Sequence, residues 1–473
     1  TYPWNFSRIP LTNRTLNFVF TFWNTCFIMK KSNVHKYYFI GIGGVGMSAL
    51  ARLCKRQGHI VLGYDRTASP ITYALEEEGV FITYESSIDA LPKEVLGKDV
   101  EVVYTAAISE NHPQLMYYTV QGNRIRKRAT FLADCCKNSK VLAVAGTHGK
   151  TTTSAILTHI FLETEQSFSS IMGGFFNGNN SNLIGEGSEF MIVEADEYDR
   201  SFLQLYPSIG CITSMDPDHL DIYQTKEEFE AAFIQFSSQI EQNRIVAYGI
   251  PIHGFTYGVD VPADYNAFNV RNTKKGYFFD LKTPKGVYQD ILFNQLGKHN
   301  IANAICAIAM ADQAGVPLDA VLKTLYTFPG VYRRMNVFEW GKALVVDDYA
   351  HHPTEIRKVL ETLKGSFPNQ KNCVIFQPHL FSRTQDFMKD FLSVLAAFDE
   401  VFLLEIYPAR EAPIPGINSS QLLKDLDHTN KKLIKKEEIK EVMESSNADV
   451  FAFLGAGDIG LEVQSLRNHL VSL

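Results

Sequence analysis

The chain has no apolar run long enough to cross a bilayer. Its most hydrophobic stretch near the start, Leu16-Asn-Phe-Val-Phe-Thr-Phe-Trp23 continuing to Ile28, is broken by Asn17 and Asn24. A spanning helix needs ~20 apolar residues, and no small-residue cleavage site follows, so neither a membrane anchor nor a secretion signal is expected. Basic excess is missing as well. With 45 Lys and Arg against 52 Asp and Glu the net charge is -7, which leaves nothing to hold a nucleic-acid backbone. The seven cysteines contain no Cys-x-x-Cys pair and no Cys/His zinc spacing. Odd in number and scattered, with only Cys135 and Cys136 adjoining, they fit reduced thiols in a cytoplasm better than a disulfide framework. Repeats, coiled-coil heptads and low-complexity tracts are also absent.

What is present is a 473-residue chain of globular composition, too long for one core, and at roughly 150 residues per domain three are expected. Met29-Lys-Lys-Ser reads as a natural start, so residues 1–35 are taken as an extension outside the fold. Over residues 36–139 the pattern is strand, glycine loop, helix, strand, with strands expected at Tyr37–Ile40, His59–Asp65, Val80–Thr83 and Val100–Thr105. A second unit, 140–330, has buried-type strands from Val141, at Phe190–Glu194 and at Ile209–Thr213. It continues through a turn-rich, antiparallel excursion near 245–296 and an Ala/Ile-rich helix after Asn300. The third, 331–473, alternates strands at Ala343–Asp347, Cys373–Phe376, Val401–Leu404 and Val450–Leu454 with helices, and Lys431–Glu444 reads as a solvated helix face. The fold class is therefore α/β, with largely parallel sheets.

Two glycine loops carry the first chemical signal. Val141-Leu-Ala-Val-Ala-Gly146-Thr147-His148-Gly149-Lys150-Thr151-Thr152 is a strand that breaks into a phosphate-binding turn at the start of a helix. Backbone N–H groups and the helix N-terminus attract an anion, Lys150 can reach β- and γ-phosphates, and Thr151 can ligate Mg²⁺. The usual pattern has a further glycine where Val144 stands, so this is a shortened variant. Gly41-Ile-Gly43-Gly44-Val-Gly46 also follows a strand, with Asp65 nineteen residues beyond the last glycine. That spacing fits a dinucleotide cofactor and an NAD-dependent oxidoreductase. It equally serves any diphosphate at a helix N-terminus, and with a triphosphate site already supplied, a nucleotide-linked substrate is the better assignment.

Carboxylates and imidazoles follow at strand ends. Glu194-Ala-Asp196-Glu197-Tyr-Asp199 and Asp216-x-Asp218-His219-x-Asp221 both close buried strands, where ligands of open α/β sheets collect. Thr151, Glu194 and His219 make a candidate Mg²⁺ set. In the third unit, Asp347-Asp348-Tyr349-Ala-His351-His352-Pro353 opens a helix and Phe376-Gln-Pro-His379-Leu-Phe-Ser-Arg383 closes the next strand. Adjacent side chains of His351 and His352 diverge, which favours second-substrate contacts or capping over a metal. Arg383 suits a carboxylate, and Arg333 and Arg334 suit phosphates.

Taken in order, Gly41–Ser48, Ala145–Thr152, Glu194–Glu197, Asp218–Asp221, His299-Asn-x-x-Asn303, Arg333-Arg334, Asp347–Glu355 and Phe376–His379 resemble the Mur ligase family, from about Tyr37 to the end. The resemblance implies an N-terminal Rossmann-like domain holding a UDP-linked substrate, a central P-loop ATPase with a mixed sheet, and a C-terminal Rossmann-like domain binding an amino acid. It implies ATP and Mg²⁺ as cofactors and, within the family, the branch that adds L-alanine to UDP-N-acetylmuramate through an acyl phosphate. A monomer or weak homodimer is expected. Residue by residue, Gly146, Thr147, Gly149, Lys150, Thr151 and Thr152 would serve ATP, with Asn300, Asn303, Arg334 and Asp348 contacting the nucleotide. Gly41, Gly43, Gly44, Gly46 and Asp65 would serve the UDP substrate, Tyr349, His351 and Arg383 the amino acid. Thr151, Glu194 and His219 would hold metal, and His148 would face the substrate carboxylate. The carbamylated lysine of related members has no counterpart between Lys226 and Lys274, as in the alanine-adding branch. That branch often has arginine where this chain has Leu380, which shifts carboxylate recognition toward Arg383. The nearest rival is the recycling branch that attaches a whole tripeptide; a silent nucleotide-binding regulator is a further alternative.

Overall fold

The structure is a computed structural model that describes residues 34–216, 223–273, 276–409 and 411–471, with side chains to residue 467. The extension read over residues 1–35 lies outside the described residues except for its last two, and so do Asp218, His219 and Asp221.

Three α/β domains follow one another. The first sheet comprises β1 (Lys36–Ile40), β2 (Ile60–Tyr64), β3 (Phe81–Thr83), β4 (Val100–Tyr104) and β5 (Arg124–Lys127), in the order β3-β2-β1-β4-β5 with every pairing parallel. From β1 the chain moves first to one side and later to the other, so the loop Gly41–Gly46 leaves β1 at the crevice where such sheets bind ligands. The helix Val45–Arg56 follows it.

The second sheet has ten strands: β6 (Lys140–Ala145), β7 (Phe168–Ile171), β8 (Leu183–Ile184), β9 (Phe190–Ala195), β10 (Ile209–Ile212), β11 (Asn243–Ala247), β12 (Phe255–Val259), β13 (Tyr265–Thr273), β14 (Gly276–Thr283) and β15 (Gly286–Phe293). Their order is β15-β14-β13-β12-β11-β10-β6-β9-β7-β8. Central β6 is flanked by β9 and β10 in parallel, so the phosphate loop leaves the sheet between the two strands that end in acidic sequence. The excursion near 245–296 is antiparallel only from β13 to β15; β11 and β12 pair in parallel and extend the main sheet. The helix Lys298–Gln313 is apolar nearly all round beyond its first turn (Ile301, Ala304, Ile305, Ala307, Ile308) because it lies between the phosphate-loop helix Lys150–Glu163 and the strands, with residues 304–312 all buried.

The third sheet runs β16-β17-β21-β18-β19-β20, built from β16 (Asn336–Trp340), β17 (Ala343–Asp348), β18 (Asn372–Phe376), β19 (Glu400–Leu403), β20 (Lys431–Leu433) and β21 (Val450–Leu454), with only β16 antiparallel. The expected helix face at Lys431–Glu444 is corrected here: Lys431–Leu433 pairs with β19, and helix begins only at Ile439 after a short 3₁₀ turn. Edge pairing through backbone groups lets a Lys-rich segment be a strand while its side chains stay wet.

The first two domains share one apolar cluster, in which Phe39, Met47 and Leu50 join Val141, Met191 and Val193. The third has clusters of its own on the two faces of its sheet. Among the described residues no helix is long and apolar enough to cross a membrane, and the six described cysteines are free thiols.

Candidate active site

The phosphate loop needs its glycines for two separate reasons. Gly146 has φ +133° and a Cβ there would sit 2.0 Å from Thr213 Oγ1; Gly149 has φ +83° and a Cβ would meet Asn303 Oδ1 at 2.5 Å. Any side chain would strain the turn and push apart the strand end and helix that frame it. Loop backbone and hydroxyls are then pinned to the loop after β10: Thr147 Oγ1 donates to Asp216 O at 2.8 Å and His148 N to Ser214 Oγ at 2.8 Å. Helix Lys150–Glu163 starts at Lys150 with no side-chain cap, so its first N–H groups are available to an anion. They open into a cavity of about 980 Å³ that Thr147, His148, Gly149, Lys150, Thr151 and Thr152 help to line.

Lys150 Nζ donates to Glu197 Oε2 at 2.6 Å, to Glu197 Oε1 at 2.9 Å and to Gly146 O at 2.6 Å. Glu197 is 1% exposed, and burial raises its carboxyl against the pull of Lys150. The lysine is thus folded back onto its own loop by a carboxylate to which the sequence reading gave no role. Beside it, Glu194 accepts from Thr151 Oγ1 at 3.2 Å, Ser154 Oγ at 2.9 Å and Gly173 N at 2.8 Å. Two ligands on adjacent corners of an Mg²⁺ octahedron are about 3 Å apart, so the spacing of Thr151 and Glu194 fits this ion. Among the described residues no cluster of three His, Cys, Asp or Glu forms a further metal site; His219 lies outside them.

The third domain supplies the opposite wall. Arg334, Asp348, His351, His352, Lys358 and Arg383 line the same cavity, as do Asn300 and Asn303 on the central domain. Asp348 accepts from Met335 N at 2.7 Å and Ala350 N at 2.8 Å, and burial raises its carboxyl. His351 and His352 both reach the wall, in different roles. The helix Pro353–Ser366 is capped by His352, which accepts from Thr354 N, while His351 Nδ1 lies 2.9 Å from Tyr349 O and against Glu355. Burial alone would raise Glu355, but His351, through ring and backbone N–H, and Arg334 hold it down at about 2. Burial, with Arg383 and Arg334, lowers His351 against the pull of Glu355. Arg383 approaches His379 Nδ1 at 3.5 Å, and burial next to His351 and Arg383 brings His379 to about 4.

Two expected contacts are not in this wall. Tyr349 does not line the cavity; its ring is 36% exposed beneath Arg333 and Arg334. Arg333, expected at a phosphate, is a buried strut: it pairs with Asp347 at 3.3 Å and donates to Gly455 O and Gly457 O. Three of its five N–H donors are spent on Asp347 and on carbonyls of the loop after β21, and it does not line the cavity.

The first glycine loop lies apart from the main cavity. Gly41 N and Ile42 N donate to Tyr64 O, and Gly43 N donates to Asp65 Oδ2 at 2.8 Å, so Asp65 braces the turn itself. Gly44 precedes the helix without a side-chain cap, and Gly46 faces the Arg128 guanidinium, 2.9 Å from where a Cβ would be. Arg128 also reaches Asp196 Oδ2 at 3.4 Å, on the rim of the large cavity. Sequence reasoning missed Arg128, which no local pattern marks. It missed Lys358 too, although its place one turn beyond Pro353 on the helix opened by His351-His352 offered a signal.

Three family models match the chain: "Mur ligase family, catalytic domain" over residues 36–140, "Mur ligase middle domain" over 144–311 and "Mur ligase, glutamate ligase domain" over 333–457. The UDP-N-acetylmuramate--L-alanine ligase of Flavobacterium psychrophilum is 45% identical over 445 residues, 93% of this chain and 99% of its own length. That of Porphyromonas gingivalis is 38% identical over 453 residues, again 93% of this chain and 99% of its own length. Among solved structures, the UDP-N-acetylmuramate-alanine ligase of Thermotoga maritima matches with a TM-score of 0.79 at 28% identity, covering 92% of this chain and 99% of that one. A murein peptide ligase from Psychrobacter arcticus shares the fold, with a TM-score of 0.68 at 22% identity over 93% of this chain and 99% of its own. With all three of its domains matched in order and relatives of this identity spanning nearly its whole length, the chain belongs to the Mur ligase family.

Proposed function

We propose that this chain is an ATP-dependent ligase that joins the amine of L-alanine to the carboxyl of UDP-N-acetylmuramate, forming ADP and phosphate, in peptidoglycan precursor synthesis. One observation carries the reading: the uncapped helix N-terminus with Lys150 opens into the same cavity as His351 and Arg383 of the third domain. A triphosphate and an amino acid can therefore meet across one cleft. The relatives, UDP-N-acetylmuramate--L-alanine ligases, supply the substrates.

In this reading the helix N-terminus after Gly146–Thr152 and the ammonium of Lys150 hold the β- and γ-phosphates. Asn300, Asn303, Arg334 and Asp348 contact the nucleotide from the sides of the cleft. Gly41, Gly43, Gly44 and Gly46 hold the diphosphate of the UDP sugar, with Asp65 bracing their turn. A carboxylate oxygen of the sugar's lactyl group attacks the γ-phosphorus and ADP leaves; the amine nitrogen then attacks the carbonyl carbon and phosphate leaves. The carboxylate itself is a poor electrophile, and the acyl phosphate gives it a leaving group. Arg383 holds the amino-acid carboxylate, and His148 faces the reacting carboxyl. Burial lowers both His148 and His351, so neutral imidazoles are at hand for the proton the ammonium must lose. Mg²⁺, bound by Thr151 and Glu194, would supply charge neutralisation at the phosphates; a second position at His219 rests on the sequence motif. Tyr349 would touch the amino acid only after the third domain closes on the central one. The reading carries with it a cytoplasmic location and action as a monomer or weak homodimer.

Competition among L-alanine, L-serine, glycine and a cell-wall tripeptide for the same UDP sugar tests the amino-acid assignment. L-alanine is expected to dominate product formation. Exclusive use of the tripeptide would move the chain to the recycling branch.

A further inference from the structure

Between the two glycine loops lies a buried amide that belongs to neither. Asn182, just before β8, is 0% exposed, and all of its side-chain polar atoms are engaged. Its Nδ2 donates to Val45 O at 2.5 Å, in the first turn of the helix that follows Gly41–Gly46, and lies 3.5 Å from Met172 O. Its Oδ1 accepts from Arg52 Nη1 at 2.8 Å, on the same helix. Its backbone O accepts from Met172 N at 2.9 Å. The next residue, Gly173, donates its N–H to Glu194, the carboxylate that also takes the hydroxyls of Thr151 and Ser154. A continuous set of hydrogen bonds thus runs from the diphosphate turn, through one amide and the segment Met172-Gly173, to the phosphate loop.

The surroundings leave this path little slack. Arg52, 5% exposed, is held from its other side by Glu78 at 2.8 Å, which fixes the orientation of the amide. Arg56, one turn further along the helix, donates to Gly185 O and, at 2.8 Å, to Ser169 Oγ. The shared apolar cluster of the first two domains underlies both contacts. Buried amides whose every group is bonded have one low-energy placement, so a shift of the first helix turn is felt at Met172 and Gly173.

We propose that Asn182 is a positioning residue that couples occupancy of the two nucleotide sites: a diphosphate at Gly41–Gly46 fixes the first helix turn and, through Asn182, the Gly173–Glu194–Thr151 set beside the phosphate loop, which would hold the Mg²⁺ of the triphosphate. This rests on the site assignments made above. Linkage makes the effect reciprocal, so each ligand tightens the other by the same factor.

The test uses UDP-N-acetylglucosamine, which brings the diphosphate but no lactyl carboxylate to touch the γ-phosphate. Calorimetry measures the affinity of a non-hydrolysable ATP analogue with Mg²⁺, in its absence and at saturation. The unaltered chain should bind the analogue about fivefold more tightly or better when the sugar nucleotide is present. Asn182→Asp keeps the size and the Arg52 contact but replaces the donor to Val45 O. It should bring that ratio to about one, while each ligand alone binds within about threefold of normal. Arg52→Lys, which frees the amide to turn, should give an intermediate ratio and serves if Asn182→Asp does not fold. Coupling that survives both substitutions, or a ratio of one in the unaltered chain, overturns the inference alone. Failure of the unaltered chain to bind either nucleotide overturns the site assignments with it.

Discussion

Lys150 is claimed by two partners. In the structure its ammonium sits on Glu197 and Gly146 O, yet the ligand chemistry needs it on a phosphate. A buried carboxylate at this distance holds the ammonium in the loop, so the cation need not be recruited from solvent. Lys150→Ala is predicted to reduce ADP release by at least ~10²-fold, with the fold intact by circular dichroism. A second residue prediction concerns acid stability. His299 is brought from 6.5 to about 4 by burial, with Lys358 and Arg334 adding to it. The unfolded chain therefore takes up a proton that the folded chain refuses, and this contribution, full above pH 6.5, is lost as pH falls from 6.5 toward about 4. Asp347, raised to about 6 by burial, has the opposite sign, its contribution fading as pH rises through about 6. Urea unfolding of His299→Gln should show a flatter loss of stability between pH 6.5 and 4; an unchanged slope would remove His299 from the acid response. Lys150, Thr151 and Arg383 were legible in the sequence because loop spacing and motif order are local signals. Glu197 stands in an acidic motif that gives it no role, and Arg128 carries no signal, since the partners that give them meaning lie 47 and 68 residues away in the chain.

The same contrast holds for whole elements. Strands covered on both faces, such as β6 and β21, are continuous apolar runs and could be read directly. β5, Arg124-Ile-Arg-Lys127, could not, because an edge strand is held by backbone pairing and its charged side chains find partners in Glu101 and Asp134. The strand β20 was hidden in a Lys-rich stretch for the same reason. Arg333 shows how tertiary packing reassigns a residue: beside Arg334 it looked like a second phosphate ligand, but it ties β17 to the loop after β21. Its side chain is 9% exposed and that of Asp347 is 3% exposed. Arg333→Met would leave a buried carboxylate and two carbonyls without a partner, at a cost of ~3–5 kcal/mol, measurable as a lower urea midpoint. Arg333→Met with unchanged stability would show that the strut is dispensable. Asp347→Asn in the same background should recover part of the loss by removing the stranded charge.

As a molecule, the chain joins a bonded pair of domains to a third that faces them across a cleft. The shared core and the contacts of Arg52, Arg56 and Asn182 make the first two domains one support for both nucleotide sites. The third brings Arg334, His351 and Arg383 to the cavity from its own sheet. That division suits a reaction whose activated intermediate must be shielded from water while an amine is delivered. The α/β class and the reaction were legible in the order of motifs. The cleft's geometry was not, since spacing along the chain does not say which loops face one another. The most direct test of the central claim is a single assay on the purified chain, following ADP and ligated product together with UDP-N-acetylmuramate, L-alanine, ATP and Mg²⁺, each omitted in turn. Equal amounts of ADP and UDP-N-acetylmuramoyl-L-alanine are predicted over many turnovers, with turnover of both ceasing when any one substrate is left out. Absence of phosphate release with all of them present, or ADP formed without product, would contradict it.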